Sequence, residues 1–96
     1  MIKHVVFFKF KPETNRSDRD SAKAALGGLP MKIDLIRTFE LGEDTLRSPR
    51  SWDLVLIATY DNLEALHEYS DHPEHVPVAG FLKSVCEQIG SVDYEC

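Results

Sequence analysis

Apolar and polar positions alternate from the start of the chain. Ile2, His4, Val6, Phe8 and Phe10 fall on one side of an extended segment, with Val5 and Phe7 between lysines on the other. This period of two in β-branched and aromatic residues predicts a strand over 2–10, and apolar groups on both faces place it between two packed layers. A polar loop follows over 12–16. Ser17 with Asp20 three residues later resembles a capping box, and Ala22, Ala25, Leu26 and Leu29 recur at helical spacing. Gly27-Gly28 and Pro30 end that helix. The segment 33–41 predicts a second strand, with Ile33, Leu35, Phe39 and Leu41 on one face and Ile36 on the other. A polar connection over 42–51, holding Pro49, leads into a third strand over 52–60. There Leu54 to Ala58 run without a polar break, as in a strand buried on both faces.

Asp61 with Glu64 then predicts a capped helix whose inner face carries Leu63, Leu66 and Tyr69. It should stop near His72, because a residue before proline avoids helical angles. A further helix is predicted over 77–88 from the stripe Val78, Phe81, Leu82, Val85 and Ile89, and a short strand over 89–94 closes the chain.

The resulting order, β-α-β-β-α-(α)-β, is the split βαβ or ferredoxin-like motif of the α+β class. One domain over 1–96 is expected, with helices on one face of a four-stranded antiparallel sheet. The first and third strands are apolar on both faces, and the chain has no spare element for the second face. A second copy packed sheet to sheet, a homodimer closing a dimeric α/β barrel, is the simplest cover.

Composition narrows the partners. With 11 basic against 16 acidic residues and a net charge of −5, and with Lys and Arg scattered, no nucleic acid is expected, since phosphate needs a basic face. The apolar run Val5 to Phe8 is too short for a signal peptide, and no stretch reaches membrane-spanning length. Cys86 and Cys96 make no disulfide framework, so a reducing cytoplasmic setting is expected.

Candidate chemistry gathers in one place. Three of the four histidines lie within nine residues, His67, His72 and His75, beside Tyr69. Imidazole titrates near neutrality, so such a cluster suits proton transfer. The plainer reading has His72 and His75 hydrogen-bonding backbone at a helix break and Tyr69 in the core. A metal needs three or four converging ligands, which the proline break disfavours; no metal and no cofactor are expected. His4, on a mostly apolar strand face, reads as a core histidine with a hydrogen-bonded partner. Cys86 reads as a small core hydrophobe, and Trp52 and Tyr60 as packing residues.

Two stretches carry a resemblance. The opening Lys3-His4, apolar run and Lys9-Phe10-Lys11, and the later Tyr69-Ser70-Asp71-His72-Pro73-Glu74-His75, resemble the K-H…K-F-K start and the Y-x-x-H-P-x-H motif of the stress-response dimeric α/β-barrel (Dabb) family. Val92-Asp93-Tyr94 resembles its closing strand. The resemblance implies two ferredoxin-like subunits with facing sheets. Many members of that family have no assigned activity, and one plant member is a polyketide cyclase working without metal or organic cofactor. By motif match, that cyclase's catalytic pair falls on Tyr69 and His75, with His4 and His72 as pocket residues. The expected ligand-binding set is His4, His72, Val6, Phe8, Leu56, Ala58 and Leu66, around a small apolar or phenolic ligand. The first helix departs from the cyclase, offering Ala22, Ala24, Ala25 and Leu26 in place of aromatic pocket residues, which implies a different cavity. Two functions follow as expectations: a stress-responsive homodimer that binds a small ligand or acts as a scaffold, or a cofactor-independent enzyme. The enzyme would be cyclase-like, or a monooxygenase by analogy of fold alone.

Overall fold

The computed structural model describes residues 1–96. Strand β1 (Ile2–Phe10) is followed by helix α1 (Arg16–Gly27), the short helix α2 (Leu29–Lys32) and strands β2 (Thr38–Glu43) and β3 (Leu54–Tyr60). Helices α3 (Leu63–Asp71) and α4 (Val76–Val85) and strand β4 (Cys86–Glu95) complete the chain. The four strands lie in the order β2-β3-β1-β4, and every neighbouring pair is antiparallel. This is the ferredoxin-like arrangement expected from the hydrophobic pattern.

Register decides which residues share a face. His4 stands opposite Ala58 on β3 and Asp93 on β4, Val6 opposite Leu56 and Ser91, and Phe8 opposite Leu54 and Ile89. These positions point toward the helices, where Ile2, Val6, Phe8, Phe10, Leu54, Leu56, Ala58 and Tyr60 are buried with Leu26, Leu29, Leu66, Tyr69 and Leu82. The other face carries Val5, Phe7, Val55, Ile57 and Val92, with Trp52 packed on Phe7 at 5.9 Å between ring centroids. No helix of the structure is long and apolar enough to cross a membrane.

Several boundaries differ from the sequence expectation, each for a local reason. The cap of α1 is Asn15, whose side chain accepts from the Asp18 amide, rather than Ser17. The cap of α3 is Asn62, accepting from the Ala65 amide; Asp61 instead pairs with Arg37. Ile33 is not in a strand: its amide bonds back to the Leu29 carbonyl and closes α2, so β2 starts five residues later than expected. Helix α4 ends at Val85, and Cys86 to Gln88 join β4, because Cys86 and Gln88 find partners in Phe10 and Lys9 on β1. Tertiary pairing there overrides a helical periodicity that would run on to Ile89.

Candidate functional site

Three elements bring the candidate residues together. The alternation of β1 turns His4, Val6 and Phe8 to the helix side. Helix α3 places Tyr69 on its buried face, three residues after Leu66. Pro73 then breaks the helix: His72 adopts extended angles (φ −63°, ψ 136°), and its amide caps the Tyr69 carbonyl. The following turn returns the chain so that the His75 ring packs on Tyr69, 4.3 Å between centroids.

These side chains open onto a cavity of about 210 Å³ between the sheet and helices α1, α3 and α4. His4, Tyr69 and His75 line it together with Val6, Phe8, Leu26, Leu56, Val78 and Leu82, and Ser70, Lys83 and Ser91 supply further polar groups. Phe8 and Leu56 form its wall and leave it open, whereas Leu66 and Phe81 stay outside its lining. An apolar recess with a few convergent polar groups is the usual form of a small-molecule site.

Three residues of the expected ligand-binding set are not in the lining. Leu66 is turned into the core, and Ala58 is fully buried between His4 on β1 and Phe39 on β2. His72 is engaged in its own turn, where Nδ1 accepts from the Glu74 amide. His67 is exposed. No three His, Cys, Asp or Glu side chains converge closely enough to hold a metal ion.

Hydrogen bonding fixes what each ring offers. His75 Nδ1 lies 2.9 Å from the Ser70 carbonyl. A carbonyl only accepts, so Nδ1 carries the proton and the neutral ring keeps its lone pair on Nε2. Burial is the main cause that lowers the His75 pKa; the Ser70 carbonyl opposes it, and His4, His72 and Lys83 lower it further. The ring is therefore a neutral base at physiological pH. Burial raises the Tyr69 pKa, partly offset by the Tyr60 hydroxyl, so its phenol stays protonated and able to donate. His4 Nδ1 hydrogen-bonds the Asp93 carboxylate across the β1–β4 pair, which orients the ring and leaves Nε2 free.

Sequence reasoning did not single out Asp93. Its signal lies in the alternation of β4, but only the register of β4 on β1 sets it opposite His4. Leu26, Val78 and Lys83 were likewise hidden, since which helix face meets the cavity depends on helix packing. Behind the site, Tyr60 is fully buried, 5.0 Å from Tyr69 and 6.1 Å from His4 between ring centroids. Its hydroxyl has no hydrogen-bond partner of acceptable geometry, although burial and the neighbouring Tyr69 phenol both raise its pKa. Cys86 is buried at the start of β4, and burial pushes its thiol up to about 11.

Fold and site together define a ferredoxin-like domain with an acid–base-equipped cavity under its helices. The chain belongs to the Dabb family, the stress responsive A/B barrel domain, whose model matches residues 2–96. It is 28% identical over 100 residues to the stress-response A/B barrel domain-containing protein At5g22580 of Arabidopsis thaliana, covering 97% of this chain and 84% of that protein. It is 22% identical over 95 residues to olivetolic acid cyclase of Cannabis sativa, covering 97% and 94% respectively. Among solved structures, a dimeric protein of unknown function from Bacteroides fragilis superimposes with a TM-score of 0.84 at 34% identity, over 99% of this chain and 95% of that one.

Proposed function

We propose that this protein is a homodimer whose cavity binds a small carbonyl compound and moves a proton next to the carbonyl, without metal or organic cofactor. The observation that carries this reading is the convergence of Tyr69, His75 and His4 on one apolar cavity, with His75 neutral and Tyr69 protonated. His75 Nε2 takes the proton from the carbon beside the carbonyl, and the C–H electron pair becomes the enolate double bond. The Tyr69 hydroxyl, protonated at neutral pH, donates to the carbonyl oxygen as negative charge develops there. Asp93 is a positioning residue that holds His4 with Nε2 toward the cavity. That the related olivetolic acid cyclase is an enzyme supports this reading over a pure scaffold.

The test is deuterium exchange of the acetophenone methyl protons in D2O, followed by proton NMR. Acetophenone is the probe because its methyl protons lie beside a carbonyl and its phenyl ring suits the apolar wall of the cavity. The wild-type protein should accelerate exchange over buffer, and Tyr69→Phe and His75→Ala should each lower that rate by about 10²–10⁴-fold. Unchanged rates in both variants, or no acceleration by the wild type, would refute the catalytic role.

The partner copy is proposed to cover the second sheet face, where Val5, Phe7, Val55, Ile57 and Val92 are only partly buried or exposed. Such an apolar sheet face on a chain this small calls for a partner, and the related Bacteroides fragilis protein is dimeric. Light scattering should give twice the chain mass for wild type and a monomer for Ile57→Glu. A monomeric wild type at micromolar concentration would remove the dimer.

A further inference from the structure

Lys83 stands alone in the cavity wall. It is the one lysine or arginine among the lining residues, and no Asp or Glu lines the cavity with it. Lys83 is exposed and forms neither an ion pair nor a hydrogen bond; Lys3, Lys9, Arg16 and Arg50 also lack partners, but none of them lines the cavity, and the ion-paired Lys23, Lys32, Arg37 and Arg47 lie elsewhere. The Asp93 carboxylate behind the lining is already taken by His4. The chain as a whole carries a net charge of −5, so an unpaired cation at a cavity mouth runs against the general field of the molecule.

Lys83 lies in the last turn of α4, where a cation complements the helix dipole. That accounts for a positive charge on any side of the turn. It does not account for a side chain turned onto an apolar recess with every acidic partner elsewhere. The ammonium is also near enough for its charge to lower the His75 pKa, so an anion bound to it would sit beside the proposed base.

We propose that the ligand of this cavity is a small apolar carboxylate, its acid group paired with Lys83 at the mouth and its apolar body against Val6, Phe8, Leu56 and Leu82. This rests on the reading of the cavity as the ligand site and adds to it the class of compound. A carboxylate gains a charge-assisted contact from the ammonium, while a neutral compound of the same shape gains only the apolar wall. The second carbonyl that the proposed chemistry needs is then held at a fixed distance from the acid group, next to Tyr69 and His75.

The experiment titrates the isotopically labelled homodimer with benzoate and, separately, with benzyl alcohol, by amide NMR at low ionic strength. Wild type should bind benzoate about tenfold more tightly than benzyl alcohol, with shifts centred on Tyr69, His75 and Ser91. Lys83→Arg should keep that preference, Lys83→Ala should abolish it, and Lys83→Glu should reverse it. Lys32→Ala, which removes an equal charge from a surface ion pair, should leave it unchanged. A preference that survives in Lys83→Ala, or is lost equally in Lys32→Ala, would overturn the assignment to Lys83. Benzyl alcohol binding at Tyr69 and His75 with no preference for benzoate would overturn the carboxylate while leaving the cavity as the ligand site. Absence of cavity shifts with either compound at millimolar concentration would overturn the carboxylate, and the acetophenone exchange would then judge the cavity on its own.

Discussion

The buried hydroxyl of Tyr60 makes a prediction that the geometry can quantify. Its ring is fully enclosed, packed against Tyr69 and His4, and its oxygen lacks a partner of acceptable geometry. Leaving a buried polar group unpaired costs about 1–3 kcal/mol. Tyr60→Phe keeps the ring and its edge contacts and deletes only the oxygen. The gain is bounded above by that cost and reduced by whatever weak attraction the Tyr69 hydroxyl supplies, which leaves about 1 kcal/mol of stabilisation. For a domain of this length, 1 kcal/mol corresponds to roughly 4–8 °C in Tm. The assay is thermal unfolding and urea titration at one fixed protomer concentration, since the apparent stability of a dimer varies with concentration.

The opposite result is equally readable. If Tyr60→Phe lowers Tm, the two phenols are hydrogen-bonded in solution and the hydroxyl is not an orphan. The double variant with Tyr69→Phe then measures the coupling, because removing both partners should cost less than the sum of the single changes. A destabilised Tyr60→Phe with no coupling to Tyr69 would refute the account altogether.

Three further outcomes follow from burial. Because burial holds His75 below its ordinary value of 6.5, the unfolded chain binds a proton in that window that the native chain does not. Stability should therefore rise with pH up to about 6.5 and then level off, and His75→Gln should flatten this rise in urea midpoints measured from pH 5 to 7. Leu29 is completely buried, so Leu29→Ala should cost about 2–5 kcal/mol in the same titration. Cys86 is buried with its thiol pushed up to about 11, while Cys96 is exposed; a thiol reagent at pH 8 should modify one cysteine per chain quickly and the second only in denaturant.

The strands that carry the site were legible because their pattern repeats at the right period. β1 shows period-two alternation and β3 an unbroken apolar run, patterns that mark strands with apolar groups on both faces, and the Tyr69 to His75 segment carries its own helix break at Pro73. What stayed hidden depends on contacts across the sequence. Ile33, Leu35 and Ile36 look like a strand because apolar, partly β-branched residues crowd there, but the Ile33 amide bonds back to Leu29 and closes α2, and the Ile36 amide bonds to the Ile33 carbonyl in the turn that follows. Asn15 and Asn62 cap helices beside equally plausible neighbours, and only the backbone angles choose between them. Asp93 and Lys83 belong to the site through strand register and helix rotation, neither of which a local pattern encodes.

Strand β1 ties the cavity to the second sheet face. Its even-numbered residues face the helices and include His4, while Val5 and Phe7 face the other way. β4 is an edge strand held to the sheet through β1 alone, and it has the same two-sided character: Asp93 faces His4, and Val92 stands opposite Val5 on the second face. A slip of one residue in this pair would send Asp93 to the wrong side and bring Val92 against His4. A partner subunit over Val92, as proposed, would hold the register that orients His4, although Val92 is not in the cavity lining. Val92→Glu should yield a monomer by light scattering and lower the acetophenone exchange rate, with the cavity residues themselves unchanged. Val92→Ile, which keeps the apolar contact, should retain both dimer and rate. A Val92→Glu monomer with the full exchange rate would show that the site is complete within one chain and that the second face serves assembly alone.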